Sequence, residues 1–121
     1  MKLRALPFPI SVCKLENPAD APKDAAICFL SVTPEEISLV CPTENVPPRT
    51  AAREDGWRGF YIEGVLDFSL VGVLAAISSA LAGAKIGLFV VSTYNTDYVL
   101  VKEENFPRAM EVLREAGFET D

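Results

Sequence analysis

Residues 86–101, Ile86-Gly87-Leu88-Phe89-Val90-Val91-Ser92-Thr93-Tyr94-Asn95-Thr96-Asp97-Tyr98-Val99-Leu100-Val101, decide how the chain folds. Ile86 to Ser92 is almost unbroken apolar sequence and reads as a strand that is central in its sheet and covered on at least one face. Thr93 to Thr96 is a tight polar connection, and Asp97 to Val101 returns as the next strand. Working outward from this hairpin, Trp57 to Leu66 reads as another strand. Phe60, Ile62 and Leu66 lie on one of its faces; Tyr61, Glu63 and Val65 lie on the other.

Asp67-Phe68 turns the chain, and Ser69 is placed to cap a helix running to about Ala82. Its apolar stripe is Leu70, Leu74, Ile77 and Leu81, with Val73 and Ala80 beside it. Gly83 is the expected stop. Asn105 caps a second helix, with Pro107 tolerated in the first turn. That helix turns Phe106, Met110, Leu113 and Ala116–Gly117 to the core. Phe118 to Thr120 reads as a last edge strand. The order β-α-β-β-α-(β), with two helices on one face of an antiparallel sheet, is α+β and ferredoxin-like.

The first half has less grammar. Phe8 to Leu15 is a strand, 17–22 a turn or a very short helical piece, and Ala26 to Val32 a second strand. Pro34 suits the turn 33–36, and Ile37 to Cys41 returns. Pairing Val32 with Ile37 sets Cys28 opposite Cys41. Those two residues read either as a redox pair or as two buried thiols acting as small hydrophobes, and sparse, unpatterned cysteine favours the second. Residues 42–56, PTENVPPRTAAREDG, hold three prolines and mixed charge, and read as a linker. The chain therefore divides into 1–56, strands with the helices reduced or missing, and 57–121, a complete module.

Composition narrows the function. Of the 121 residues 50% are apolar, and 17 acids against 11 bases leave a net charge of −6. No basic excess exists to neutralise phosphates, so nucleic acid is not expected as a partner. There is no histidine, which removes the commonest general base and metal ligand and every Ser–His or Cys–His nucleophile pair. No acid–base set, metal cluster, phosphate loop or dinucleotide fingerprint assembles from the remaining residues, so no catalytic residue, metal or cofactor is expected. The start of the chain shows no secretory leader, and the uncharged stretch between Asp67 and Lys85 is short and interrupted by Ser69, Gly72, Ser78 and Ser79. A cytoplasmic protein that does not enter the membrane is expected.

The segments Phe68-Ser69-Leu70-Val71-Gly72-Val73-Leu74 and 86–101, with STYNTDY at the centre of the second, resemble ACT domains, small βαββαβ modules that bind amino acids and related regulators. The STYNTDY segment, with Pro34 to Val40 and Trp57, is similar to one subgroup: the stand-alone bacterial tandem-ACT proteins related to CASTOR-type arginine sensors. The resemblance covers about residues 26–117. It implies tandem ACT modules, with residues 1–56 the degenerate partner, and a homodimer through ACT modules. It places the ligand at Asp67, Phe68, Ser69, Leu70, Val71 and Gly72 and at the turn Thr93, Tyr94, Asn95, Thr96 and Asp97. Ile86 and Gly87 would contact ligand held by a neighbouring module.

Physical chemistry is compatible with that placement. A helix start offers unpaired N–H groups and a positive dipole end to an α-carboxylate, and Gly72 permits close approach. Asp97 would hold an α-ammonium or a cationic side chain. Each residue also has a plain role: Asp97 as a turn cap, Ser69 as an N-cap, Gly72 for packing, Tyr94 as a half-buried aromatic. The arginine-sensing relatives carry acids within the first loop, where this chain has Ser69 and Leu70, so a small neutral or apolar amino acid fits as well as arginine. Two readings follow: a non-enzymatic amino-acid-binding regulator, or a ligand-free ACT-fold interaction module acting on a partner enzyme.

Overall fold

The structure, a computed structural model, describes residues 1–64 and 72–121. The chain forms two compact units. One joins Met1–Pro7 to Arg58–Asp121, and the other is Phe8–Trp57.

The first unit contains β1 (Lys2–Ala5), the second part of β5 (Ala52–Ile62), α1 (Val73–Gly83), β6 (Phe89–Ser92), β7 (Asp97–Lys102), α2 (Phe106–Glu115) and β8 (Glu119–Thr120). Its strands run in the order β8-β1-β5-β7-β6. β1 is antiparallel to β5, with Leu3 opposite Ile62, and parallel to β8. β1 is absent from the sequence reading because four residues with no clear alternation carry no strand signal. Leu3, Phe60, Ile62, Val99 and Val101 meet Ile77 and Leu81 of α1 and Ala109, Met110 and Leu113 of α2 in one core. The Arg58 guanidinium lies over the Phe106 ring at 5.3 Å and donates to the carbonyl of Leu6.

Several boundaries move. The 42–56 linker is shorter than read, because its last residues already belong to β5. The α1 cap is Gly72 rather than Ser69, and the helix begins at Val73; Val65 to Val71, with the expected strand end and turn, lie outside the described residues. Gly83 is the last helical residue, not the stop. The left-handed position falls on Lys85, with φ 62°, and the amides of Lys85 and Ile86 reach back to the carbonyls of Ala82 and Leu81. α2 ends in the same way with Gly117 in that position, which leaves Ala116 and Gly117 exposed rather than core-facing. Asn105 occupies the N-cap of α2 but makes no side-chain cap bond. The strand expected from Ile86 starts only at Phe89, and among the described strands β6 pairs with β7 alone. Its apolar run reflects Ile86, Leu88 and Val90 packing into the core, not a central place in the sheet.

The second unit orders its strands β3 (Phe29–Val32), β4 (Ile37–Pro42), β2 (Ile10–Leu15) and the first part of β5. The register is the one read from the sequence, with Val32 opposite Ile37 and Phe29 opposite Val40. The buried thiols are Cys13 and Cys41, whereas Cys28 is exposed, because β3 begins one residue after it. Cys13, Leu15, Leu39 and Cys41 form this unit's small core. A shift in the β2–β5 register between Ile10 and Val12 turns buried Ser11 toward Asp55, to which it donates at 2.5 Å. That uses the Ser11 proton, so the Thr43 hydroxyl donates to Ser11 Oγ at 2.9 Å.

One hairpin and the turn after it recur in the two units at an offset of 60 residues. β3 and β4 correspond to β6 and β7, and the 3-10 turn Thr43–Asn45 corresponds to Glu103–Asn105. The paths then part. Phe106 is helical at ψ −48° and α2 follows, whereas Val46 is extended at ψ 128° ahead of Pro47-Pro48. Both residues precede a proline, and what differs is the second one: Pro48, where the first unit has Arg108, disfavours the helical region at Pro47, so no helix propagates.

Candidate functional site

The described part of the candidate site lies at one end of the first unit, where β5 ends and β7 begins. The turn Thr93–Thr96 is closed by its own threonines. The Thr93 amide donates to the Thr96 carbonyl at 2.8 Å, and the Thr93 hydroxyl donates to the same oxygen at 2.9 Å. The Thr96 amide returns a bond to Thr93 Oγ1. Thr33 and Glu36 form the same closed turn in the second unit. A β-branched hydroxyl at the first turn position therefore shapes both hairpins.

Thr96 does a second job. It is buried, and its hydroxyl donates to the carbonyl of Ile62 at 2.6 Å. This ties the turn to the last residue of β5, immediately before residues 63–72. Glu63 is fixed there as well: its amide donates to the Lys2 carbonyl, and its carboxylate takes the Arg4 guanidinium through Nε at 2.9 Å and Nη2 at 2.7 Å. That pairing pushes the Arg4 guanidinium up from its ordinary value, mainly through the hydrogen bond to Glu63. Beside the turn, the Tyr61 and Tyr98 rings stack at a tilt with centroids 5.4 Å apart.

The other expected site residues are placed as follows. Tyr94 is 80% exposed at the tip of the turn, beside exposed Asn95. Asp97 is half-buried and opens β7 opposite Ser92. Gly72 is exposed, with φ 95°. Its carbonyl takes the first helical bond, from the Ala76 amide at 2.8 Å, and no side chain caps the helix start. Ile86 belongs to the core, whereas Gly87 is exposed. Asp67, Phe68, Ser69, Leu70 and Val71 lie outside the described residues. The sequence reading missed the Thr96–Ile62 tie and the Arg4–Glu63 pair. Both join residues more than thirty positions apart and need the strand order to be seen. Among the described residues no group of His, Cys, Asp and Glu could hold a metal ion, and no described helix is long and apolar enough to cross a membrane.

A mixed sheet of this kind with two helices packed on it defines an α+β, ferredoxin-like class. The ACT domain model matches residues 52–115, and the chain belongs to the ACT domain family. It is 31% identical over 108 residues to the human cytosolic arginine sensor for mTORC1 subunit 1 and equally to the protein of that name from Pongo abelii. The aligned stretch is 82% of this chain, but the chain spans only about a third, 33%, of those relatives' length. A protein from Agrobacterium tumefaciens solved by X-ray crystallography is 27% identical, with TM-score 0.87 over 99% of this chain and 91% of the other. The regulatory subunit of Thermus thermophilus aspartate kinase shares the fold at TM-score 0.60 and 12% identity, over 91% of this chain and 93% of the other. The relation to CASTOR-type sensors read from the STYNTDY segment thus extends along most of the chain.

Proposed function

We propose that this protein is a non-enzymatic regulator that binds an amino acid between the start of α1 and the turn Thr93–Asp97, in the cytoplasm. Membership of the ACT family carries the reading, and the site's geometry supports it. The helix start at Gly72 has no side-chain cap, so its first amides suit a carboxylate. The Thr96 bond to Ile62 holds the turn against the strand that leads into the first loop. Asp97, at the head of β7, would take the ammonium group. The human relative is named an arginine sensor. Here Ser69 and Leu70 leave the first loop without added charge, so a small neutral or apolar amino acid is as good a candidate as arginine. The division into a degenerate half, 1–56, and an ACT domain, 57–121, belongs to the same proposal and is supported by the 60-residue repeat of β3–β4 in β6–β7.

A homodimer through the ACT modules completes the reading. Between Gly72 and Thr96 the only charged residue is Lys85, so this is where two acidic copies would meet with least repulsion. The second part of β5 has β1 on one side and β7 on the other, so it offers no edge for pairing with a second copy.

A thermal-shift screen of the common amino acids at millimolar concentration tests the proposal. At least one should raise the melting temperature, since a ligand at a hundred times its Kd adds about 2.7 kcal/mol of stability. Asp97→Ala should abolish the shift. If no amino acid moves the melting point, amino-acid sensing fails, and a partner protein captured without any ligand effect would point to the interaction module instead.

A further inference from the structure

The hairpin β3–β4 carries two thiols that neither the core nor the candidate site explains as a pair. Its ladder pairs Phe29 with Val40, Leu30 with Leu39, Ser31 with Ser38 and Val32 with Ile37. One more step in the same register sets Cys28 against Cys41. The Thr33 amide donates to the Glu36 carbonyl at 2.9 Å, so Thr33 and Glu36 are a hydrogen-bonded pair. Pair type alternates along an antiparallel ladder, and Cys28/Cys41, an odd number of steps away, falls on a non-hydrogen-bonded position. Such positions bring Cα atoms to about 4.5 Å, inside the roughly 4.4–6.8 Å that a disulfide spans.

Access and competition agree with the pairing. Cys28 is exposed one residue ahead of β3, the outermost strand of its unit, and Cys41 is buried on β4. Cys13 stands opposite Leu39, diagonal to Cys41, where separations of roughly 7–8 Å are too long for a bond without backbone movement. Sixty residues on, the corresponding positions are Leu88 and Val101, which are both apolar and both part of the first unit's core packing. The thiol pair is therefore particular to the second unit.

We propose that Cys28 and Cys41 form a reversible thiol–disulfide site, closed by small-molecule disulfides, that locks the β3–β4 hairpin covalently. The Cys28 thiolate attacks one sulfur of the small disulfide, and that S–S bond breaks to release one thiol. The Cys41 thiolate then attacks Cys28 Sγ in the mixed disulfide and expels the second thiol. The two cysteines lose two electrons, the small disulfide gains them, and the two cysteine protons end on the two released thiols. Burial pushes the Cys41 thiol up to about 12, so the second displacement is the slow step and quickens as pH rises.

The test is incubation of the full chain with excess hydroxyethyl disulfide at mildly alkaline pH. Thiols are then alkylated under denaturing conditions, and peptides are mapped by mass spectrometry. The expected product is a monomer two hydrogens lighter, with Cys28 joined to Cys41, Cys13 alkylated, a higher melting temperature, and full reversal by dithiothreitol. Cys28→Ser, at an exposed position, should remove the internal bond, and Cys13→Ser should leave it. A lasting mixed disulfide on Cys28, a bond to Cys13, a disulfide-linked dimer or three alkylated thiols would overturn the proposal, as would an internal bond formed in Cys28→Ser.

Discussion

Lys85 adopts φ 62° at the end of α1, while Gly117 takes the matching position after α2 at φ 101°. A left-handed conformation costs a side-chain residue roughly 1–2 kcal/mol, part of which glycine returns through its greater unfolded freedom. Lys85→Gly should therefore stabilise the protein by about 0.5–1 kcal/mol in urea unfolding. Gly117→Ala should cost about 1 kcal/mol. A methyl group there meets nothing within 4 Å, so that change isolates the backbone term. Thr96 acts differently. Its buried hydroxyl satisfies the Ile62 carbonyl, and Thr96→Val should lose about 1–3 kcal/mol by leaving that oxygen unpaired. Thr96→Ser should keep most of it. A Thr96→Val protein as stable as the parent would show that the tie contributes nothing. Gly83 read as a stop because glycine is the usual left-handed residue, but the position was set two residues later, where the core claims Leu81 and Ile86.

At the scale of elements, β1 is the piece that pattern reading does not find. Lys2-Leu3-Arg4-Ala5 has one buried side chain, and only its neighbours β5 and β8 make it a strand. Leu3 is fully buried against Ile62 and the helices, so Leu3→Ala should cost about 2–5 kcal/mol. The expected result is an early loss of the α1 and α2 signal in denaturant, followed by circular dichroism. The hairpins show the opposite case. β3–β4 and β6–β7 were legible in strand, turn and, for the first, register, because a polar turn between apolar runs fixes pairing locally. The helices were legible by stripe but not by end. Ile77 and Leu81 of the expected stripe are buried, whereas the cap chemistry of Ser69 predicts a start of α1 three residues too early.

At the scale of the molecule, acid stability rests on carboxylates held below their ordinary range. The Asp55 carboxyl is lowered chiefly by the hydrogen bond from Arg53 and then by that from Ser11. Asp121 is lowered chiefly by the amide of Ala5. A carboxylate with a depressed folded value contributes stability above its unfolded value, 3.8 for both groups, and loses it as pH falls through the folded one. Stability should decline below about pH 3.8, and Asp55→Asn should flatten that decline in an acid titration followed by circular dichroism. An unchanged slope would remove Asp55 from the account. The sequence by itself determined the α+β class, the ACT family, the two hairpins and the acidic character, because these rest on local alternation, turn chemistry and a segment motif. Only the tertiary structure decided that the N-terminal strand completes the ACT unit, that β6 rather than β5 ends its sheet order, that Cys28 is exposed, and that Thr96 anchors the turn. Each of these depends on which distant backbones lie side by side, and that is settled by long-range strand pairing and core packing within each unit, not by any one stretch of residues.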